Sequence, residues 1–229
     1  MSDAQLAALE SSLRRRFRVV ESTVDAGDRS LTIMHPASAE DLIDERDFER
    51  DERLPYWAEL WPSARVLAEH VLAQPGGGQT FIELWCGAGL VATCASLAGF
   101  DVVVSDYYED ATRFARVNAW RNGAPVSGFM VLDWRALPPP DTLQRFDVVA
   151  ASDVLYERAY GELVARAISS LLAPRGVTLI ADPGRVARDD FLRALAPLGL
   201  EVRGREPIAY RDKEIRQTIT LFEIGRMRK

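Results

Sequence analysis

From residue 79 onward, apolar runs rich in β-branched residues alternate with stretches of helical period. The runs fall at residues 80–84, 101–105, 129–132, 146–151 and 177–181, and the helical stretches near 88–98, 109–121, 157–172 and 188–198. Strands alternating with helices bury both faces of a parallel sheet, and each connection is long enough for a right-handed crossover. The tail departs from this rhythm. Residues 200–206 and 214–224 read as strands with only a loop, residues 206–213, between them. Two such strands pair antiparallel at one edge of the sheet. The pattern predicts an α/β fold with a mostly parallel sheet and one antiparallel strand near the C-terminus.

Upstream the chain has a different character. Leu6, Leu9, Leu13 and Phe17 recur at helical spacing behind Asp3, which predicts a short amphipathic helix capped by Asp3. Apolar runs at 17–20 and 31–34 flank a turn at 25–28 and predict a β-hairpin. Residues 38–53 interleave acids and arginines without a period and read as a solvated loop. Tyr56, Trp57 and Trp61 then crowd ahead of a helix over 63–74. The expected organisation is an extension over 1–53 followed by one domain over 54–229.

Composition narrows the class. With 48% apolar residues in 229, the chain can fill one large core, and no apolar run is long enough to span a membrane. Its start lacks the order of a secretory signal, so the expected location is cytoplasmic. A net charge of −6 argues against a nucleic-acid partner. Cys86 and Cys94 lack metal-ligand company and read as reduced core fillers, while two histidines, His35 and His70, are too few for a His-based metal site.

The chemistry concentrates where strands end, since ligands of such sheets bind beyond the carboxyl ends. Glu83 ends the first core run and a turn carrying Gly87 and Gly89 opens a helix; Asp106 ends the next run, 23 residues on. The glycines let backbone approach a ligand, and a carboxylate accepts from both hydroxyls of a ribose. This arrangement suits a nucleoside cofactor. No G-x-G-x-x-G is present, so the ligand has no pyrophosphate to cradle. Asp106 is the candidate for the ribose, with Tyr107 after it, and Asp133 with Trp134 suits adenine. Glu83 either steadies the turn or meets a ligand ammonium. Trp57 and Trp61 would form a lid or floor.

Taken in order, E-x-x-x-G-x-G from Glu83, Asp106, Asp133-Trp134 and Asp153-Val154-Leu155-Tyr156 resemble the seven-strand S-adenosylmethionine-dependent methyltransferases. Within them the chain is similar to the family 16 protein methyltransferases, through the D-x-x-Y of Asp153 to Tyr156 and the segment Trp61-Pro62-Ser63-Ala64. Asp182-Pro183-Gly184-Arg185 further resembles the enzymes that methylate lysines of the electron transfer flavoprotein β-subunit. The resemblance covers roughly residues 54 to 200. It implies a Rossmann-like three-layer sandwich with a seven-stranded sheet and S-adenosyl-L-methionine as cofactor. It also implies a protein lysine as acceptor, with Asp153 and Tyr156 bordering the acceptor amine. One position departs: Trp85 stands where the superfamily carries glycine. Three other readings stay open at this point: a small-molecule N-methyltransferase, a nicotinamide-dependent oxidoreductase, and a non-catalytic binding module.

Overall fold

The computed structural model describes residues 1–42, 55–212 and 215–228. Its seven-stranded sheet holds β3 (Thr80–Leu84), β4 (Asp101–Asp106), β5 (Gly128–Val131), β6 (Phe146–Ser152), β7 (Leu172–Asp182), β8 (Leu200–Asp212) and β9 (Ile215–Arg226). The order is β5-β4-β3-β6-β7-β9-β8. β9 runs antiparallel to both neighbours and the other pairings are parallel, as the rhythm predicts. A separate hairpin, β1 (Val19–Ala26) with β2 (Arg29–Pro36), precedes the sheet. Of the expected charged loop over 38–53, residues 43–53 lie outside the described residues; Glu40–Leu42 form a single 3-10 turn.

The alternation of side chains along each strand divides the core in two. Phe81, Val104, Val148, Ala150 and Leu179 face α2 (Pro62–Leu72) and α3 (Leu90–Leu97). Ile82, Leu84, Val149, Ala151 and Ile180 face α5 (Tyr160–Leu171) and α6 (Arg188–Leu195). On the first face, α4 (Glu109–Arg121) adds Ala115 to the layer and turns Phe114 and Val117 toward Leu13 of α1 (Asp3–Arg16) and Met34 of β2. A sheet covered on both faces gives the three-layer sandwich.

Two expectations are corrected. The cap of α1 is Ser2, which exchanges bonds with Gln5 in a capping box, while Asp3 accepts from Trp120 Nε1 at 3.0 Å. The expected loop at 206–213 is strand as far as Asp212, because Ile208 and Tyr210 alternate inward and pair with Ile219 and Gln217. Pro207, which reads as a loop signal, is tolerated because β8 is the edge strand.

The chain order reverses at β3, which pairs with β4 on one side and β6 on the other. The crevice beyond their carboxyl ends is therefore where a ligand fits.

Candidate active site

The turn after β3 is held by the residues the chain brings to that reversal. Asp106 is 2% exposed; its Oδ2 accepts from the Gly87 N–H at 3.1 Å and its Oδ1 from the Tyr108 N–H at 2.9 Å. Gly89 takes φ 81°, and a Cβ there would lie 2.5 Å from Ala115, so the turn sits directly on α4. At Gly87, φ 51°, a Cβ would meet the Trp57 carbonyl at 3.0 Å. Glu83 accepts from the Ala92 N–H at 2.9 Å and latches the first turn of α3. Burial pushes its carboxyl well above the usual carboxylate range, and the charge of Asp106 adds to the rise. Asn118 of α4 ties the turn to the hairpin, donating to Ala88 and Met34 carbonyls and accepting from the Met34 N–H.

A cavity of about 670 Å³ opens above this turn. Of the expected site residues, Trp61, Glu83, Gly87, Gly89, Asp106, Asp153 and Tyr156 line it together. Tyr107, Asp133 and Trp134 do not; they line a smaller hollow of about 200 Å³ with Arg135 and Tyr160. There Asp133 pairs with Arg135 at 3.1 Å, and Trp134 is 5% exposed.

Trp85 lines both spaces. Its ring lies 4.3 Å from that of Trp134 and 5.6 Å from that of Tyr156, nearly parallel to the latter, with Tyr160 edge-on at 5.1 Å. The indole is thus folded into an aromatic cluster. Neither its Nε1 nor that of Trp134 has a hydrogen-bond partner, although both are buried. The backbone of Trp85 is left-handed, φ 52°, which a glycine would take without cost.

Asp153 is the other non-glycine residue with positive φ among the described residues, at 60°, and it lines the same cavity. Strained backbone of this kind clusters at functional sites. Its Oδ2 accepts from Ser63 Oγ at 3.2 Å, and its Oδ1 from Arg185 Nε at 2.5 Å. Tyr156 packs edge-on to Tyr56 at 5.2 Å, and burial raises its phenol pKa far above the ordinary value. As a phenol, Tyr156 can donate or accept a hydrogen bond.

Tyr108, Trp57 and Ser152 also line the cavity. Tyr108, which the sequence did not single out, lines the cavity while Tyr107 lines the smaller hollow, because the strand ends at Asp106 and the chain turns before α4. Ser63 and Arg185 were missed as well. Both lie inside the motifs quoted above, and only the fold brings them to Asp153. Burial pushes the Cys94 thiol up to about 12 and that of Cys86, which lines the cavity, well above its ordinary value.

Residues 47–196, well over half of the chain, match the family described as lysine methyltransferase. The chain is 29% identical over 181 residues to the protein N-lysine methyltransferase METTL21A of Xenopus tropicalis, covering 75% of this chain and 83% of that protein. It is 30% identical over 152 residues to the calmodulin-lysine N-methyltransferase of Arabidopsis thaliana, covering 61% of this chain but only 50% of the plant protein. The chain thus spans about half the length of that relative. Its fold is similar to that of magnesium protoporphyrin IX methyltransferase from Synechocystis PCC 6803, solved with bound S-adenosylmethionine. The TM-score is 0.58 and the identity 19%, over 81% of this chain and 94% of that one. Because that family match spans well over half of its residues, the chain belongs to the lysine methyltransferase family.

Proposed function

We propose that this chain methylates the side-chain amine of a lysine in a protein acceptor. The observation that carries the reading is the cavity in which Asp106 and the glycine turn, on one side of β3, share a lining with Asp153 and Tyr156, on the other. S-adenosylmethionine, the cofactor this reading assigns, would supply a methyl carbon on a sulfonium, open to in-line displacement by an amine lone pair with S-adenosylhomocysteine as the leaving group.

The residues present suit that group. Gly87 and Gly89 keep the turn free of side chains, so backbone can lie against the ligand. Asp106 would accept from the ribose hydroxyls. Glu83, latched to α3, steadies the turn. Asp133 and Trp134, across the Trp85 indole from the main cavity, would take the adenine, with Tyr107 beside them. Trp61, fixed by its Nε1 donating to the Tyr56 carbonyl at 3.0 Å, walls the cavity. On the acceptor side, Asp153 accepts a hydrogen bond from the amine and orients its lone pair, and Tyr156 narrows the approach. The proton leaves to water. Catalysis then rests on orientation and exclusion of water, with no covalent intermediate.

The lysine acceptor is supported by the family and by the names of the two relatives. The same reading sets the enzyme in the cytoplasm, where two buried, unpaired thiols suit a reducing compartment. Among the described residues, no helix is long and apolar enough to cross a membrane.

The test is calorimetric titration with S-adenosylhomocysteine followed by labelled-methyl transfer into a lysate. Asp153→Ala is expected to keep S-adenosylhomocysteine affinity within about threefold while transfer falls about 100-fold or more. Equal loss of both would overturn the assignment of Asp153.

A further inference from the structure

Arg185 is held against Asp153 from three directions. Its Nε donates to Asp153 Oδ1 at 2.5 Å, and its guanidinium lies 5.4 Å from the centre of the Trp61 ring. The turn that carries it is built on Asp182, which is 1% exposed and accepts from the Gly184 and Arg185 N–H groups. Asp182 in turn is paired by Arg188 at 2.6 Å. Arg185 is not among the residues that line the cavity, while its partners Asp153 and Trp61 are, so the guanidinium acts on the cavity through them, and on its charge through the carboxylate.

This pair bears on the protonation of an acceptor amine. A lysine enters as an ammonium at neutral pH, and only the neutral amine can attack. A buried carboxylate without a partner would hold the ammonium as an ion pair and raise its pKa, favouring the unreactive form. A carboxylate already neutralised by a guanidinium still accepts a hydrogen bond, yet it does not retain the proton. Among the described residues, the other charged or titratable groups near the pair are Asp182, neutralised by Arg188, and Tyr56 beside Arg185. Across the cavity stand Glu59, Glu83, Asp106 and the phenol of Tyr156. Ser63 of α2, on the second oxygen of Asp153, carries no charge.

We propose that Arg185 is a positioning residue for methyl transfer, which neutralises Asp153 so that this carboxylate orients the acceptor amine without keeping it protonated. The inference rests on the protein-lysine reading above. It assigns to Arg185 a part in setting the pH at which the enzyme works.

The experiment compares the full chain with Arg185→Gln and Arg185→Lys. The probe is the protein fraction of a lysate from cells lacking this chain, with tritiated S-adenosylmethionine. The initial rate into the principal labelled protein is followed from about pH 6 to about pH 10, at lysate concentrations where the rate no longer rises, a range that brackets lysine titration. Arg185→Gln is expected to move the acidic limb upward by about one pH unit or more, and to lower the acceptor concentration needed for half the maximal rate. Arg185→Lys, which keeps the charge, is expected to restore the wild-type limb. S-adenosylhomocysteine titration checks that each variant is folded and binds cofactor product. An unmoved limb in Arg185→Gln, or equal losses at every pH in both variants, would overturn the inference and leave the lysine reading standing. No labelled protein with the wild type would overturn that reading, and the inference with it.

Discussion

At the scale of single residues, the account turns on Trp85 and Asp153, which both take left-handed backbone at the cavity wall. For Trp85 the strain is offset by burial of the ring among Trp134, Tyr156 and Tyr160. A ligand that touches both Asp106 and Asp133 has to pass this indole, since it lines the space on either side. Trp85→Gly should therefore bind S-adenosylhomocysteine more tightly, by up to about tenfold. The same change should destabilise the fold by only about 2 to 3 kcal/mol, because relief of the left-handed strain offsets part of the lost aromatic packing. Calorimetry and denaturant unfolding measure the two effects. A fall in affinity would mean that the base leans on the indole and does not displace it.

At the scale of elements, the glycine turn is only as firm as the helices it rests on. Gly89→Ala would drive a methyl into Ala115 at 2.5 Å and impose a left-handed alanine. A loss of about 3 kcal/mol or more is expected in denaturant unfolding, with cofactor-product binding weakened alongside. Asn118→Ala tests the other support. It removes both donors to the Ala88 and Met34 carbonyls and the acceptor for the Met34 N–H. The buried groups left unpaired should cost about 2 to 4 kcal/mol. Hydrogen exchange should speed up in β2 and in the turn together, and protection lost in only one of them would contradict the link.

These elements were largely legible in the sequence, because the sheet is buried on both faces and its strands stand out as short apolar runs between helical periods. The acids at the strand ends were legible for the same reason. The contacts across the crevice were not. Arg185 is 32 residues from Asp153, and Ser63 is 90 residues away, so nothing local in either segment marks the pairing. The entry of Tyr108 into the cavity lining depends on where β4 ends within one residue, which periodicity does not resolve. The extension of β8 through Pro207 depends on its being an edge strand, a property of the assembled sheet.

At the scale of the whole molecule, the buried acid beneath the turn links stability to pH. Burial raises the Glu83 pKa in the folded protein above its unfolded value. The folded state thus binds more protons than the unfolded one once pH exceeds the ordinary glutamate range. Its contribution is favourable below that range and is lost as pH rises toward the folded pKa. Glu83→Gln removes this dependence while an amide oxygen can still accept from the Ala92 N–H. The melting temperature of the variant relative to the wild type should climb as pH rises from about 4.5 toward neutrality, by this linkage. A difference that stays flat across that window would place the proton elsewhere.

Whether the crevice at the sheet's reversal moves a methyl group to a protein lysine is decided by identifying the methylated product. The full chain is incubated with tritiated S-adenosylmethionine and lysate from cells lacking it, and the protein and small-molecule fractions are separated and hydrolysed. Label is expected in the protein fraction as methyl-lysine, reduced about 100-fold or more with Asp153→Ala. Label recovered in small molecules, or in a different amino acid of the protein fraction, would contradict it.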